Sequence, residues 1–158
     1  MKKIVSYMMT GILLLSFLLT GCGSPEPQTG KKMSMYYINT AETKVEVHEQ
    51  YLNTKTLDEQ LDETMRYLST TPEKLEYKAP LDMGFRVLDY EVEDGKLLIN
   101  VDKAYSELSP TTEVLVRAAI VRTLTQLPNV KYVGITVEDS QLYDNAGEMV
   151  GWMNAEQF

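Results

Sequence analysis

The segment SPTTEVLVRAAIVRTLTQLP, residues 109–128, decides the fold of this chain of 158 residues. It opens with Ser109, a typical helix N-cap, followed by a proline at the first helical position, where the missing N–H costs no hydrogen bond. The residues that follow are apolar over most of the helix circumference, with Arg117 and Arg122 at the edges, until a second proline ends the helix. A helix that is apolar on nearly every side is buried, so we expect this one at the centre of the core.

Hydrophobic patterns upstream of this helix predict two β-hairpins. Met33–Ile38 is apolar on both parities, which indicates a central strand covered on both faces. Val45–Tyr51 alternates apolar with polar residues, which indicates a half-exposed strand paired with the first. Phe85–Val92 and Lys96–Val101 flank an Asp-Gly pair, a strong hairpin signal because glycine tolerates the positive φ of the turn.

The sequence between the hairpins predicts an amphipathic helix. Thr56 and Glu59 have the spacing of a capping box, in which each side chain accepts a hydrogen bond from the other residue's backbone N–H. Asp62 and Arg66 are spaced for an i,i+4 ion pair on the exposed side. Four apolar residues share the side that we expect to face the core: Leu57, Leu61, Met65 and Leu68.

The remaining elements complete the fold class. Residues 73–83 are expected to form a loop folded onto the core, and residues 130–138 the last strand. The tail is expected to form a short hairpin or to wrap over the core, where Trp152, Met153 and Phe158 would be buried. The order strand, strand, helix, strand, strand, helix, strand predicts an α+β fold, with two helices packed on one face of a mostly antiparallel sheet.

The first residues of the chain have the pattern of an export signal. Residues 1–21 combine an n-region with two lysines, an apolar h-region and small residues at the end. Leu19-Thr20-Gly21-Cys22 resembles the bacterial lipobox, in which the cysteine thiol takes a diacylglyceryl group and cleavage leaves Cys22 as the new N-terminus. An uncleaved membrane anchor and a secretory signal with an unmodified cysteine are the alternatives, but the apolar run is short for a span of ~20 residues.

The predicted domain organisation follows from this signal. Residues 1–21 are a lipoprotein signal peptide, residues 22–32 a flexible tether without apolar residues to bury, and residues 33–158 one folded domain. Acylated Cys22 would hold the domain on the bilayer, because two acyl chains anchor a protein durably. We therefore expect a lipid-anchored protein on the extracytoplasmic face of the cell membrane.

Charge and cysteine content narrow the function classes. The formal net charge is −8, and removal of residues 1–21 takes away two lysines and no acidic residue, so the mature chain carries −10. An acidic domain does not suit nucleic acid, whose phosphates need Lys and Arg. A single cysteine excludes an internal disulfide, so the fold depends on packing alone.

The residues that could act in catalysis or bind a metal predict no enzyme activity, no cofactor and no metal site. His48, the only histidine, alternates with valines and is expected to point to solvent, without the further ligands that zinc needs. Residues 91–94 form an acidic turn, and the acidic residues between 58 and 63 lie in the first turns of a helix, where negative charge is favourable. Residues 144–148 resemble part of a calcium loop but lack its full ligand set.

Tyrosine is frequent in the exported part of the chain. A ring with a polar end suits protein interfaces and sugar stacking, and it equally suits the margins of a small core, which is the interpretation we favour. The residues concerned are Tyr36, Tyr37, Tyr51, Tyr77, Tyr90, Tyr132 and Tyr143.

Several motifs resemble the sporulation and spore germination (GerMN) domain, in one copy from residue 33 to residue 153. The Thr-Leu-Thr-Gln-Leu-Pro segment is the most specific of them, and none is catalytic. The motifs are Met35-Tyr36-Tyr37, Leu98–Asp102 after an Asp-Gly pair, Ala118–Val130, and Leu142–Asp144 with Gly147–Gly151.

The resemblance implies a non-enzymatic module on envelope lipoproteins of Gram-positive-type bacteria. It also implies a fold similar to the ring-building motifs of secretion and sporulation channel proteins, small α/β units that pack side by side. We therefore predict a non-catalytic interaction or scaffold module in sporulation or envelope complex assembly, with an envelope protein as its partner.

Two alternatives stay open at this point. A sugar- or peptidoglycan-binding module predicts aromatic side chains clustered in a groove. A cell-wall hydrolase predicts two carboxylates facing each other in a concave pocket, with perturbed pKa values.

Overall fold

The computed structural model describes residues 30–71, 76–144 and 146–158; the predicted signal peptide, Cys22 and residues 22–29 of the predicted tether lie outside the described residues. Short 3₁₀ turns occur at Lys103–Glu107 and Ala155–Gln157. None of the helices in the described part of the chain has the length and hydropathy that crossing a bilayer requires. The strands and α-helices are β1 (Lys31–Asn39), β2 (Val45–Leu52), α1 (Leu57–Leu68), β3 (Tyr77–Lys78), β4 (Val87–Glu93), β5 (Lys96–Val101), α2 (Pro110–Leu124), β6 (Tyr132–Val137) and β7 (Ser140–Gln141).

β1 is the central strand of a three-stranded antiparallel sheet with the order β2-β1-β3. This confirms the central position predicted for the first strand. The strand starts earlier than expected, because Lys31 and Lys32 pair with Leu52 and Tyr51 of β2. The predicted tether, residues 22–32, therefore extends two residues too far.

A second sheet has the order β4-β5-β6-β7. Its first hairpin turns at Asp94 and Gly95, with φ of 50° and 79°, which is the geometry that the Asp-Gly pair predicted. β5 and β6 run parallel, since α2 connects them as a crossover, and the other two pairings are antiparallel. The structure thus confirms the α+β class with two helices and mostly antiparallel strands, and divides the strands between two sheets.

The two sheets stay separate because side chains of α2 and of the turn that follows it occupy the edge of β1 opposite β2, up to the short pairing with β3. The Tyr36 N–H donates to Thr123 Oγ1 at 3.0 Å, and the Ser34 N–H donates to Gln126 Oε1 at 3.0 Å. Gln126 Nε2 donates back to the Ser34 carbonyl oxygen at 2.7 Å. These side chains take the backbone hydrogen bonds that another strand would otherwise form with Ser34 and Tyr36, so β3 pairs only with Ile38 and Asn39 at the end of β1.

α1 begins with the predicted capping box, which Thr56 and Glu59 both form. Three of the four residues expected to face the core are buried, but Leu57 is exposed in the first turn. The predicted Asp62–Arg66 pair is wrong. Asp62 accepts a hydrogen bond from the Tyr90 hydroxyl of β4 at 2.7 Å, and Arg66 lies beside Glu63 instead.

α2 is the central core helix, as predicted, and the Ser109 hydroxyl caps it by accepting from the Thr112 N–H. Arg117, predicted at the helix edge, is instead largely buried: its Nη2 donates to Glu113 Oε2 at 2.9 Å. Glu113 also accepts from the hydroxyl of Tyr105, a residue that is 1% exposed. Burial raises the pKa of Tyr105 well above its usual value, so this hydroxyl stays a donor.

The tail wraps over the core, as predicted. Val133 and Met153 exchange two backbone hydrogen bonds of 2.8 Å, which attach the tail alongside β6. Met153 is buried and Phe158 is half-buried, but Trp152 is not covered. The expectation that the tail buries Trp152 is therefore wrong, because successive residues of an extended segment point to opposite sides.

Candidate functional site

The four-stranded sheet has one face that is turned away from the core, and several side chains on this face are exposed to solvent. Residues directly opposite each other in neighbouring strands share a face. Glu91 of β4 pairs with Leu98 of β5, and Leu98 pairs with Gly134 of β6, so these three form one row. Glu93 and Lys96 lie in the adjacent row.

Trp152 lies on this face, directly above Gly134. A Cβ atom at position 134 would stand 2.7 Å from Trp152 Cζ3, so only glycine leaves room for the indole. Gln141 Nε2 donates to the Val150 carbonyl oxygen at 2.8 Å and holds the preceding part of the tail. Trp152 is 42% exposed, which is high for the largest apolar side chain.

Three shallow hollows meet at Trp152. One, of about 240 Å³, lies between the indole and β4–β5 and is lined by Glu91, Glu93, Lys96 and Leu98. The second, of about 170 Å³, is bordered by Gly134 and Met149. The third, of about 280 Å³, reaches under the tail. We call the group Glu91, Glu93, Lys96, Leu98, Met149 and Trp152 the Trp152 surface.

The charge distribution around the indole is asymmetric. Lys96 Nζ lies 5.3 Å from the ring centroid of Trp152, within cation–π range. Glu91 and Glu93, which line the same hollow, are exposed and form no ion pair within the described part of the chain. The hollow is therefore lined by one aromatic ring, two carboxylates and one ammonium group.

Asn100 fixes the far end of the same face. It is 4% exposed, and its Nδ2 donates to Asp89 Oδ2 at 3.1 Å and to Asp139 Oδ1 at 2.8 Å. The Asp139 N–H donates to Asn100 Oδ1 at 3.0 Å. Both polar ends of the amide are thus satisfied, which explains this residue in the Leu98–Asp102 motif as a structural one.

Structural partners lower the pKa values of three carboxylates in other parts of the domain. Hydrogen bonds from Lys78 and Thr112 lower the pKa of Glu42, which ties the β1–β2 turn to the start of α2. The Arg86 side chain lowers the pKa of Asp102. Hydrogen bonds with the side chain and then the backbone of Thr56 lower the pKa of Glu59 in the capping box. None of the three borders the Trp152 surface.

The sequence placed His48 on the wrong face of β2. His48 lies opposite Met35, so it shares the face that α1 covers and is half-buried, whereas Val47 is 55% exposed. Because α1 packs on the side of Met33 and Met35, the register of the hairpin decides which residues of β2 turn inward.

Hydrogen bonds join Asp144 to Ala146, Gly147 and Glu148. Asp144 Oδ1 accepts from the N–H groups of Ala146 and Glu148, both at 2.9 Å, while residue 145 lies outside the described residues. In the ranges that the structure describes, no three His, Cys, Asp or Glu side chains converge as ligands for a metal ion.

The seven tyrosines divide into two groups. Tyr37 is buried, Tyr36, Tyr77 and Tyr90 are half-buried against the core, and Tyr51 is half-buried as well, which agrees with the favoured interpretation. Tyr132 and Tyr143 are exposed, and both lie on segments next to the Trp152 surface.

Comparison with known families identifies the chain. The family model of Germane, described as sporulation and spore germination, matches residues 34–143. The chain belongs to the Germane family. This membership confirms the resemblance to GerMN domains. The Germane family is not a known enzyme family. A comparison with curated protein sequences finds no significant match.

Solved structures share the Germane fold of this chain. The first GerMN domain of the sporulation protein GerM from Bacillus subtilis has a TM-score of 0.61 at 14% identity, covering 81% of this chain and 99% of that domain. The tandem GerMN domains of the same protein give 0.56 at 18%, covering 85% of this chain and 49% of the tandem. A Clostridium perfringens protein designated a lipoprotein gives 0.53 at 18%, covering 80% and 89%.

The most specific motif of the Germane resemblance has a structural role. Its Thr123 and Gln126 are the residues that occupy the edge of β1. The Trp152 surface was not predicted, because Glu91 and Glu93 had a sufficient explanation as a turn cluster. The usable signal was Gly134 in the middle of a strand, since glycine there indicates the close approach of another group.

Proposed function

We propose that this Germane protein is an envelope lipoprotein whose domain acts as a non-catalytic interaction module in the assembly of an envelope complex. In this proposal residues 1–21 are removed, Cys22 is acylated, and the domain contacts a protein partner from the extracytoplasmic face of the membrane. The observation that carries the interaction role is the exposed indole of Trp152, placed over a rigid sheet and surrounded by hollows. An exposed apolar patch with a polar rim is typical of a protein-binding surface.

Two further observations support the proposal. The lipobox-like segment ends at the only cysteine of the chain, and one structural relative is designated a lipoprotein. Another relative is a sporulation protein, so a sporulation complex is the first place to look for the partner. Confinement at a membrane raises the effective concentration of membrane-bound partners.

A sugar- or peptidoglycan-binding role is the second candidate. Trp152 beside Glu91 and Glu93 offers a ring for stacking and carboxylates for hydroxyl groups. The hydrolase alternative has less support, because Glu91 and Glu93 are neighbours on one face of one strand rather than facing each other across a cleft.

The lipid anchor is tested by membrane fractionation of Cys22→Ala in the native host. We expect the variant to be soluble or unprocessed, because no thiol remains to acylate, while Ser24→Ala behaves as the natural protein. A cleaved Cys22→Ala protein that still fractionates with membranes would falsify the anchor.

The interaction role is tested by crosslinking in the native envelope, followed by mass spectrometry. A photoreactive residue at position 149, next to Trp152, should crosslink to a defined envelope protein, and Trp152→Ala should abolish that product. The same residue at position 47, exposed on the other sheet, serves as the control site. Unchanged crosslinks from position 149 in Trp152→Ala, at an unchanged melting temperature, would rule out the surface as the contact.

A further inference from the structure

We propose that the Trp152 surface binds a cationic, extended segment of its protein partner, with an Arg or Lys side chain seated between the indole of Trp152 and the carboxylates of Glu91 and Glu93. This inference rests on the proposed interaction role and adds the chemistry of the partner. Its ligand class is a basic protein segment.

Lys96 marks where the cation of the partner would sit. Its Nζ lies 5.3 Å from the Trp152 ring centroid, so the chain's own ammonium group already occupies the face of the indole. The negative face of an aromatic ring attracts a cation, and tryptophan does so most strongly. Lys96 lies opposite Glu93 in the sheet, yet it forms no ion pair with that carboxylate and turns to the indole instead.

The two carboxylates complete a site for a guanidinium group. Glu91 and Glu93 are exposed, and both line the hollow beside Trp152. Arginine pairs with a carboxylate through two parallel hydrogen bonds and stacks its plane on an aromatic ring. An Arg side chain that displaces Lys96 from the indole could make both contacts at once, which lysine cannot match.

The spacing of the carboxylates predicts the form of the partner segment. Glu91 and Glu93 are two residues apart on β4, hence about 6.7 Å apart along the strand. An extended segment also presents every second side chain on one face, with the same repeat. The matching pattern is therefore Arg-x-Arg in an extended segment.

The charge of the whole chain favours such a partner. The sequence carries 23 acidic against 15 basic residues, and two of the basic ones lie in the predicted signal peptide. A negative surface raises the encounter rate with a basic segment and lowers it with an acidic one. A neutral glycan would gain nothing from this charge.

The binding test uses the intrinsic fluorescence of the protein. Trp152 is the only tryptophan of the chain, so its emission reports directly on this surface. The full-length protein in non-ionic detergent is titrated with the blocked peptide Gly-Arg-Ser-Arg-Ser-Arg-Gly. The control peptide has citrulline, a neutral isostere, at each Arg position.

We expect a saturable change in emission with the Arg peptide and none with the citrulline peptide. The Kd should rise about fivefold or more between 50 and 300 mM NaCl, because charge attraction is screened. It should rise by a similar factor in the double variant Glu91→Gln/Glu93→Gln. The matched control Glu107→Gln/Glu156→Gln removes the same charge from exposed positions elsewhere and should keep the Kd of the natural protein.

A second variant tests the position of the cation. Lys96→Met vacates the indole face, so we expect it to bind the Arg peptide about threefold more tightly than Lys103→Met, which removes a lysine elsewhere. Equal affinity of these two variants would contradict the seating of the cation on Trp152.

Other outcomes separate this inference from the proposed function. Equal binding of both peptides, or no saturable change at about 1 mM Arg peptide, overturns the cationic segment. A salt-independent change with chitotriose instead would assign the surface to a saccharide and overturn it as well. The interaction role itself is tested separately, by the crosslinks from position 149.

Discussion

The edge of β1 and the Trp152 surface differ in how much the rest of the chain covers them. At the β1 edge, Thr123 of α2 and Gln126, two residues past the end of α2, form three hydrogen bonds with backbone groups of Ser34 and Tyr36, so these groups are not available to another strand. At the Trp152 surface, a single indole lies on the sheet, 42% exposed and flanked by unpaired carboxylates within the described residues.

The difference shows that a fold has to satisfy the backbone groups at a strand edge but can leave the side chains of a sheet face exposed. Backbone N–H and C=O groups at a strand edge pair with any strand available, so an uncovered edge invites aggregation. A sheet face presents side chains only, and its exposure costs hydrophobic free energy without offering a backbone template. The edge of β1 thus belongs to the assembly of the fold, and the Trp152 surface is available to a partner.

The largest expected effect comes from breaking the packed region. Ala119 on α2 is fully buried, so Ala119→Asp places a charge in the core without a partner and should destabilise the domain by about 3 to 5 kcal/mol or prevent folding. Thermal unfolding measures this. Val114→Asp, on the exposed side of the same helix, is the control and should melt close to the natural protein. An unchanged melting temperature for Ala119→Asp would contradict the position of α2.

The next effect disturbs the Trp152 surface from below. Gly134→Val pushes a side chain into the indole, because even a Cβ atom would stand 2.7 Å from Trp152 Cζ3. We expect a loss of about 1 to 3 kcal/mol and a shift in tryptophan emission. Gly151→Ala, where a Cβ atom meets nothing within 4 Å, should change neither. If the emission of both variants matched the natural protein, the contact between Trp152 and β6 would be wrong.

A smaller effect tests the β1 edge directly. Thr123→Val keeps the shape of the side chain but removes the acceptor of the Tyr36 N–H, so the unfolding free energy should fall by about 1 to 2 kcal/mol. Urea denaturation measures the loss, and the Tyr36 amide should exchange faster with solvent. Thr125→Val is the control, since its hydroxyl bonds only the Val121 carbonyl of its own helix. If both variants lowered the unfolding free energy by the same amount, the hydrogen bond from Tyr36 to Thr123 would contribute nothing to stability.

The smallest effect concerns the acid stability of the packed region. The bonds from Lys78 and Thr112 hold the pKa of Glu42 below its ordinary 4.5, so its contribution is present above that value and is lost as the pH falls through the lower folded value. In Glu42→Gln the unfolding free energy should therefore fall less steeply as the pH is lowered, and the difference from the natural protein should be less than about 1 kcal/mol. Melting temperatures from pH 6 to pH 3 give the slope, with Glu107→Gln as the control. A variant slope equal to the natural one would contradict the role of Glu42.

Elements with local signals were predictable. The capping box at Thr56 and the Asp94-Gly95 turn depend on hydrogen bonds and φ angles within a few residues, so the sequence contains all that they need. The same holds for α2, where the run of apolar residues requires burial whatever surrounds it.

The exposure of individual side chains was harder to predict. His48 was placed on the wrong face, because alternation shows that β2 has two faces but does not show which of them α1 covers. Trp152 was expected to be buried, because its size favours burial and its tail position lacks periodicity. The predicted acylation of Cys22 stays a prediction.

The sequence by itself determined the helices, the hairpins and the α+β class, since these follow from periodicity and from contacts between near neighbours. Only the tertiary structure decided that Thr123 and Gln126 close the edge of β1, across 87 and 92 residues of chain, and that Trp152 stays open to solvent. The physical reason is that the exposure of a side chain depends on which distant segment packs against it. Local patterns carry no information about that segment.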